Sequence, residues 1–202
     1  MDLLIKKLTN SIIQIIAFSL IPFLWWLVTS RKKMSFFEWI GLKKVKNLKE
    51  NKLFTWILMV IVLVSIFSVF IFYILKNVNV AYSEYTGLGI KALPSILVYA
   101  FFNTSFPEEI LFRGFLLKRI GNKFGFTVGN LIQALLFGCI HGILFFSVVG
   151  ILKSIIITLF TGMIGWIIGY INERKAGGSI LLGWGMHAFF NTVSGICYAF
   201  LV

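Results

Sequence analysis

Apolar residues fill this chain in long runs, separated by short stretches that hold nearly all of its Lys and Arg. A bilayer core about 30 Å thick takes roughly 20 helical residues to cross, so each run predicts a transmembrane helix. Six spans result, over residues 11–29, 53–75, 94–117, 127–146, 151–171 and 180–200. The fourth and fifth runs nearly merge, so the chain must turn between Phe145 and Lys153. The expected fold class is therefore all-α, a polytopic integral membrane helical bundle. Residues 1–93 supply two plain spans with a basic cytosolic loop between them, and residues 94–202 change character.

Composition supports the membrane assignment. Of 202 residues, 59% are hydrophobic and only 13% are charged, far from the balance of a soluble domain. The net charge of +12 invites a nucleic-acid reading, but its distribution argues against one. Eight cations lie in the segment 31–52 (Arg31, Lys32, Lys33, Lys43, Lys44, Lys46, Lys49 and Lys52), and more occur in the loops 118–126 and 172–179. The alternate connections hold only Lys6, Lys7, Lys76, Lys91 and Lys153. The excess of positive charge on cytoplasmic loops puts 31–52, 118–126 and 172–179 in the cytosol and both termini outside. The expected partners are the lipid bilayer and a membrane-associated peptide or protein, with no nucleic acid and an open oligomeric state.

Lys6 and Lys7 ahead of an apolar run imitate a signal peptide. No small-residue cleavage site comes after it, and Arg31-Lys32-Lys33 reads as a stop-transfer flank. Cys139 and Cys197 sit within apolar runs and read as small packing residues. Trp25, Trp26, Trp39 and Trp56 read as aromatic anchors at the headgroup level. The segment Phe36–Ile40 reads either as an interfacial helix or as an ordinary orienting loop. Gly125 with Gly129, Gly138 with Gly142, and Gly165 with Gly169 each repeat at four, a spacing that lets helices approach closely in lipid.

From Pro94 onward, polar groups appear inside the spans. Pro94 suits a first helical turn. Pro107 frees a backbone carbonyl and bends its helix just before the acid pair Glu108-Glu109. Three segments carry a pair at i,i+4 on one helix face: Glu109 with Arg113, Phe137 with His141, and His187 with Asn191. His141 and His187 are the only histidines in the chain. Ionisable groups at membrane depth are expensive and by default mark function. At about 1.5 Å rise per residue, all fall between the cytosolic third and the midplane, where they can converge.

These residue types suit peptide hydrolysis, which needs an activated water, a stabilised oxyanion and a proton for the leaving amine. A carboxyl out of water is a good general base. Imidazole and amide groups stabilise an oxyanion most strongly in a dry site. Arg113 reads as a structural cation holding one acid, Glu109, ionised. Phe137 reads as packing.

Glu108-Glu109-Ile110-Leu111-Phe112-Arg113 resembles the EExxxR motif of the CAAX-processing and bacteriocin-processing (CPBP/Abi-type) intramembrane proteases. Phe137 to His141 resembles that family's FxxxH motif and His187 to Asn191 its HxxxN motif, in the same order. The resemblance covers residues 94–202. It implies Glu108 as the water-activating base, assisted by His141, and His187 with Asn191 as the oxyanion pair. Glu109 and Arg113 are motif members of less defined role. Eukaryotic members cleave prenylated C-terminal peptides, though nothing in this sequence indicates a prenylated substrate. The short Lys/Ile/Phe-rich chain points to a bacterial cell membrane, and so to peptide maturation or bacteriocin self-immunity.

The expectation for cofactors is none obligatory. Zinc is the alternative, with Glu108, His141 and His187 as ligands, although no HExxH is present. Two other functions compete. A proton-coupled transporter would use the same polar groups, but no inverted repeat or paired broken helices appear. A non-catalytic immunity or partner-binding protein would keep the motifs without using them.

Overall fold

In a computed structural model the protein is described over residues 2–45, 53–75 and 78–201; Lys46, Lys49 and Lys52 of the basic segment 31–52, and Lys76 of an alternate connection, lie outside these. The described residues form helices and connections, with no strand among them. α1 is Asp2–Thr29, α2 the single turn Phe36–Trp39, and α3 Leu53–Leu75. α4 is a composite over residues 89–124. The long segment Phe126–Tyr170 comprises two helices, α5 (126–149) and α6 (151–170, extended by Ile171–Lys175), and α7 is Leu181–Leu201. Six long helices thus correspond to the six expected spans. Their outward side chains are large and apolar, as a lipid-facing surface requires: Ile12, Ile16, Val69, Ile143, Leu152 and Leu159 are all exposed.

The turn between α5 and α6 falls at Gly150, whose φ of 77° is left-handed and therefore suits glycine. The two arms pack back along each other: a Cβ on Gly138 would strike the Thr158 carbonyl and lie 3.0 Å from Gly162. Farther from the Gly150 turn, Asn130 Nδ2 donates to the Trp166 carbonyl at 2.9 Å. Gln133 Nε2 donates to the Gly165 carbonyl, also at 2.9 Å. Gly129, Gly138, Gly142, Gly165 and Gly169 are all close-approach glycines within one chain. Gly125 is different. It ends α4 with φ +88° and has open space around it, so it serves the turn and not the packing.

α4 is where regular geometry gives way. Ordinary α-helix over Leu93–Val98 widens to a π-helix at Tyr99–Ser105, returns for Phe106–Glu108, and widens again over Glu109–Leu117. Pro107 explains the first change, because it offers no N–H and its ring crowds the carbonyl four residues back. The Phe106 N–H reaches the Phe101 carbonyl, five residues away. Side chains add to the support: the Trp184 indole N–H donates to the Phe101 carbonyl at 2.8 Å, and the Thr104 hydroxyl donates to the Tyr99 carbonyl at 3.3 Å.

The three basic segments meet at one end of the bundle. The Ile180 N–H donates to the Gly41 carbonyl at 2.9 Å, and the Ser179 hydroxyl donates to the Lys43 carbonyl at 2.6 Å. Lys118 pairs with Glu173 and donates to the Gly178 carbonyl at 2.8 Å. Trp39 belongs to this junction and is no headgroup anchor: it is 3% exposed, with the Arg119 guanidinium 3.9 Å above its ring. Likewise α2 does not simply lie on a membrane surface. Trp39 and Ile40 pack against Ile110, Phe115 and Ile180, while Phe37 points outward. Cys139 also faces outward, so it is not a packing residue.

At the opposite end, the connection 78–88 folds against the start of α1. Lys6 and Lys7 pair with the two oxygens of Glu84 at 3.3 and 3.4 Å. Burial opposes ionisation of Glu84, but Lys7 and Lys6 outweigh it and hold its carboxyl below the usual range. Tyr82 stacks on Tyr198 and meets Tyr99 edge-on.

Candidate active site

The site forms where α4, α5 and α7 face one another, between the basic junction and the Tyr82 connection. Its floor is the pair Glu109–Arg113, both fully buried, with Arg113 Nη1 3.1 Å from Glu109 Oε1. A buried charge survives only with partners; Arg113 has the Glu109 ion pair, although none of Nε, Nη1 and Nη2 makes a hydrogen bond among the described residues. The Arg113 guanidinium carbon lies 4.4 Å from the centre of the Phe137 ring, a cation–π contact on its other face. Glu109 receives two further contacts: Asn172 Nδ2 donates to Oε2 at 3.3 Å, and His187 Nδ1 lies 3.4 Å from Oε1.

His187 sits between the two acids. Its Nε2 is 3.6 Å from Glu108 Oε2, which is buried and has no hydrogen-bond partner among the described residues. The tautomer is set by the partners. Of the two carboxyl oxygens that face the ring, Glu109 Oε1 lies within hydrogen-bond distance and Glu108 Oε2 does not, so in the neutral ring Nδ1 carries the hydrogen and Nε2 is bare. His141 obeys the same logic through a different acceptor. Its Nδ1 lies 2.8 Å from the carbonyl of Phe137, one turn back, so Nδ1 again holds the hydrogen. In its neutral form each histidine therefore presents a bare Nε2.

Phe137 is central to this arrangement. Its ring is 4.4 Å from the ring of His141, 5.9 Å from that of His187 and 5.0 Å from that of Phe112. It packs, as expected, but what it packs against is Arg113 and both histidines. Gly165 makes room for this, since a Cβ there would lie 3.3 Å from Phe137 and 3.4 Å from Arg113 Nη2.

Asn191, one turn beyond His187 on α7, faces the first π-helical stretch of α4. Its Nδ2 donates to Thr104 Oγ1 at 2.9 Å and to Ser105 Oγ at 3.0 Å. Its Oδ1 accepts from the Tyr82 hydroxyl at 2.9 Å. Both amide hydrogens are thus engaged, so donation to a substrate oxygen requires exchange with one hydroxyl.

Glu108, Glu109, Arg113, His187 and Asn191 are all brought together around α4 and α7, while His141 lies across the Phe137 ring. Among the described residues no three His, Cys, Asp or Glu side chains converge to hold a metal ion, so Glu108, His141 and His187 are not assembled as ligands. Sequence reasoning missed Asn172, Tyr82, Thr104 and Ser105. Thr104-Ser105 could have been noticed as hydroxyls just before Pro107. Tyr82 and Asn172 lie in polar connections and carried no signal.

The profile of a family described as type II CAAX prenyl endopeptidase Rce1-like matches residues 89–193, just over half of the chain. No curated protein and no solved structure matches.

Proposed function

The chain belongs to the Rce1-like type II CAAX prenyl endopeptidase family, and from that premise we propose that Glu108 and His187 form the working centre of an intramembrane peptidase. The protein is an integral membrane protein, and its family is one of membrane-embedded proteases. The observation that carries the finer reading is the 3.6 Å approach of His187 Nε2 to the unpartnered Glu108 Oε2. An acceptor oxygen and a bare ring nitrogen facing each other at this distance suit the handling of one proton.

In this reading Glu108 takes a proton from a water whose oxygen attacks the scissile carbonyl. The bare Nε2 of His141 assists in holding that water. Negative charge develops on the carbonyl oxygen and is met by His187 and by an Asn191 amide hydrogen released from Thr104 or Ser105. Because Glu109 occupies Nδ1, His187 donates from Nε2 only once Glu108 has passed it the proton taken from the water, across the 3.6 Å between them. The same proton then goes to the leaving amine. The substrate is a membrane-associated peptide or protein, in a bacterial cell membrane, with peptide maturation or bacteriocin self-immunity as the setting. The active site lies toward the basic, cytosolic half, and both termini lie outside.

The test is peptide profiling by mass spectrometry of membranes and medium from cells carrying wild type or Glu108→Gln. Peptide termini that depend on the wild type, and that fall at least about a hundredfold in the variant as loss of a general base requires, are the expected result. Identical profiles with both proteins stable in the membrane would overturn the assignment, and a peptide-toxin resistance kept by the variant would then identify a non-catalytic immunity protein.

A further inference from the structure

Asn172 stands at the junction of three helices without belonging to any of the three motifs. It lies in the last wide turn of α6 (Ile171–Lys175), just past the apolar run, yet it is fully buried. Its carboxamide is used at both ends. Oδ1 accepts the Gly183 N–H at 3.0 Å, satisfying a donor in the first turn of α7 that has no intrahelical partner. Nδ2 donates to Glu109 Oε2 at 3.3 Å. Gly183 admits this contact because it lacks a side chain: a Cβ there would lie 2.5 Å from Nδ2 and 2.8 Å from Oδ1 of Asn172.

Gly183 and His187 are four residues apart, so they lie on one face of α7. Asn172 therefore grips α7 one turn before His187 and grips Glu109 with its other end. The remaining Glu109 oxygen faces His187 Nδ1 and Arg113 Nη1. Asn172, Glu109, His187 and the α7 backbone close a ring of contacts in which the carboxylate cannot rotate without losing a partner. Arg113 balances the Glu109 charge, but both it and Glu109 come from α4. Among the described residues, Asn172 alone ties that carboxylate to the backbone of the helix that bears the histidine.

We propose that Asn172 is a positioning residue, which fixes His187 as its Nδ1–H tautomer by locking the Glu109 carboxylate against the first turn of α7. The inference rests on His187 being a working residue of the proposed site. A simple helix cap would satisfy Gly183 and leave the ring of His187 alone. A positioning residue sets which ring nitrogen is bare, as the outer partners of functional histidines do elsewhere.

The chain has only two histidines, which makes the test direct. The full-length protein in lipid nanodiscs, labelled with 15N-histidine and read at a pH where both rings are neutral, gives two imidazole signal sets. His141 serves as the internal control, since its Nδ1 bonds to its own helix. In the wild type both rings should report Nδ1–H. In Asn172→Leu the His187 tautomer ratio should move toward Nε2–H by about fivefold, the worth of one ordinary hydrogen bond, with His141 unmoved. Should Asn172→Leu fail to fold, Asn172→Ser, too short to span Gly183 and Glu109 together, should show the same shift. A wild-type His187 with Nε2–H, or an unchanged ratio in whichever variant folds, overturns the proposal. The readout needs no substrate, so it stands or falls independently of the cleavage profile of Glu108→Gln.

Discussion

The two sides of the site are built from different chemistry. On the side toward the basic junction, Glu109, Arg113 and Asn172 are completely buried and joined by an ion pair and a hydrogen bond. On the other side, Tyr82, Thr104, Ser105 and Asn191 form a chain of hydroxyls and one amide, and all but Ser105 keep partial access to the surroundings. Ions in a dry interior tolerate no loss of a partner. Hydroxyls both donate and accept, so one of them can be exchanged for a substrate oxygen at little cost. The first side holds geometry and the second can yield, which is the division a hydrolytic site needs.

That contrast breaks first at Arg113. Arg113→Ala strips the buried Glu109 of its counter-ion and should cost about 3–5 kcal/mol. The expected outcome is loss of folded protein on thermal melting in detergent, with activity lost as a consequence. A normally stable but inactive variant would instead give Arg113 a direct part in the reaction. On the yielding side, Asn191→Ala should leave melting nearly unchanged and lower turnover of the cleavage products by about a hundredfold, as expected for one lost oxyanion donor. Equal losses of stability and turnover would show that Asn191 is scaffold. The gentlest cut is Tyr82→Phe, which removes only the hydroxyl that donates to Asn191 Oδ1. It should reduce turnover by about fivefold, the worth of one neutral hydrogen bond. A loss as large as that of Asn191→Ala would move Tyr82 from supporting Asn191 to acting on substrate.

Much of this organisation is legible in the chain. The six helices can be derived from apolar run length alone, and the meeting of the three basic segments from the alternation of charge between connections. The i,i+4 pairs are legible because helical periodicity is local: Glu109–Arg113 and the His141–Phe137 contact each lie within one turn. The illegible features depend on contacts between helices. Asn172 sits beside Glu173, Arg174 and Lys175, so it looks like one more solvated loop residue until Gly183 is seen above it. Trp39 resembles an anchor because anchors also occur next to basic residues; only docking against Ile110 and Ile180 reveals it as core. Pro107 does announce a disturbed helix, but not that the disturbance takes the form of two wide turns on either side of Glu108.

Those wide turns bear on how the site could arise and be altered. A π-helical turn accommodates one more residue than an α-helical turn, and every residue added or removed rotates the downstream side chains by about 100° around the helix axis. Removing a single residue from the stretch Tyr99–Ser105 could thus leave a sound, more regular helix. It would also swing Glu108, Glu109 and Arg113 together away from α5 and α7. The helix is out of phase with an ideal one by design of its sequence, and the irregularity acts as an angular setting that aims three charged side chains at two other helices.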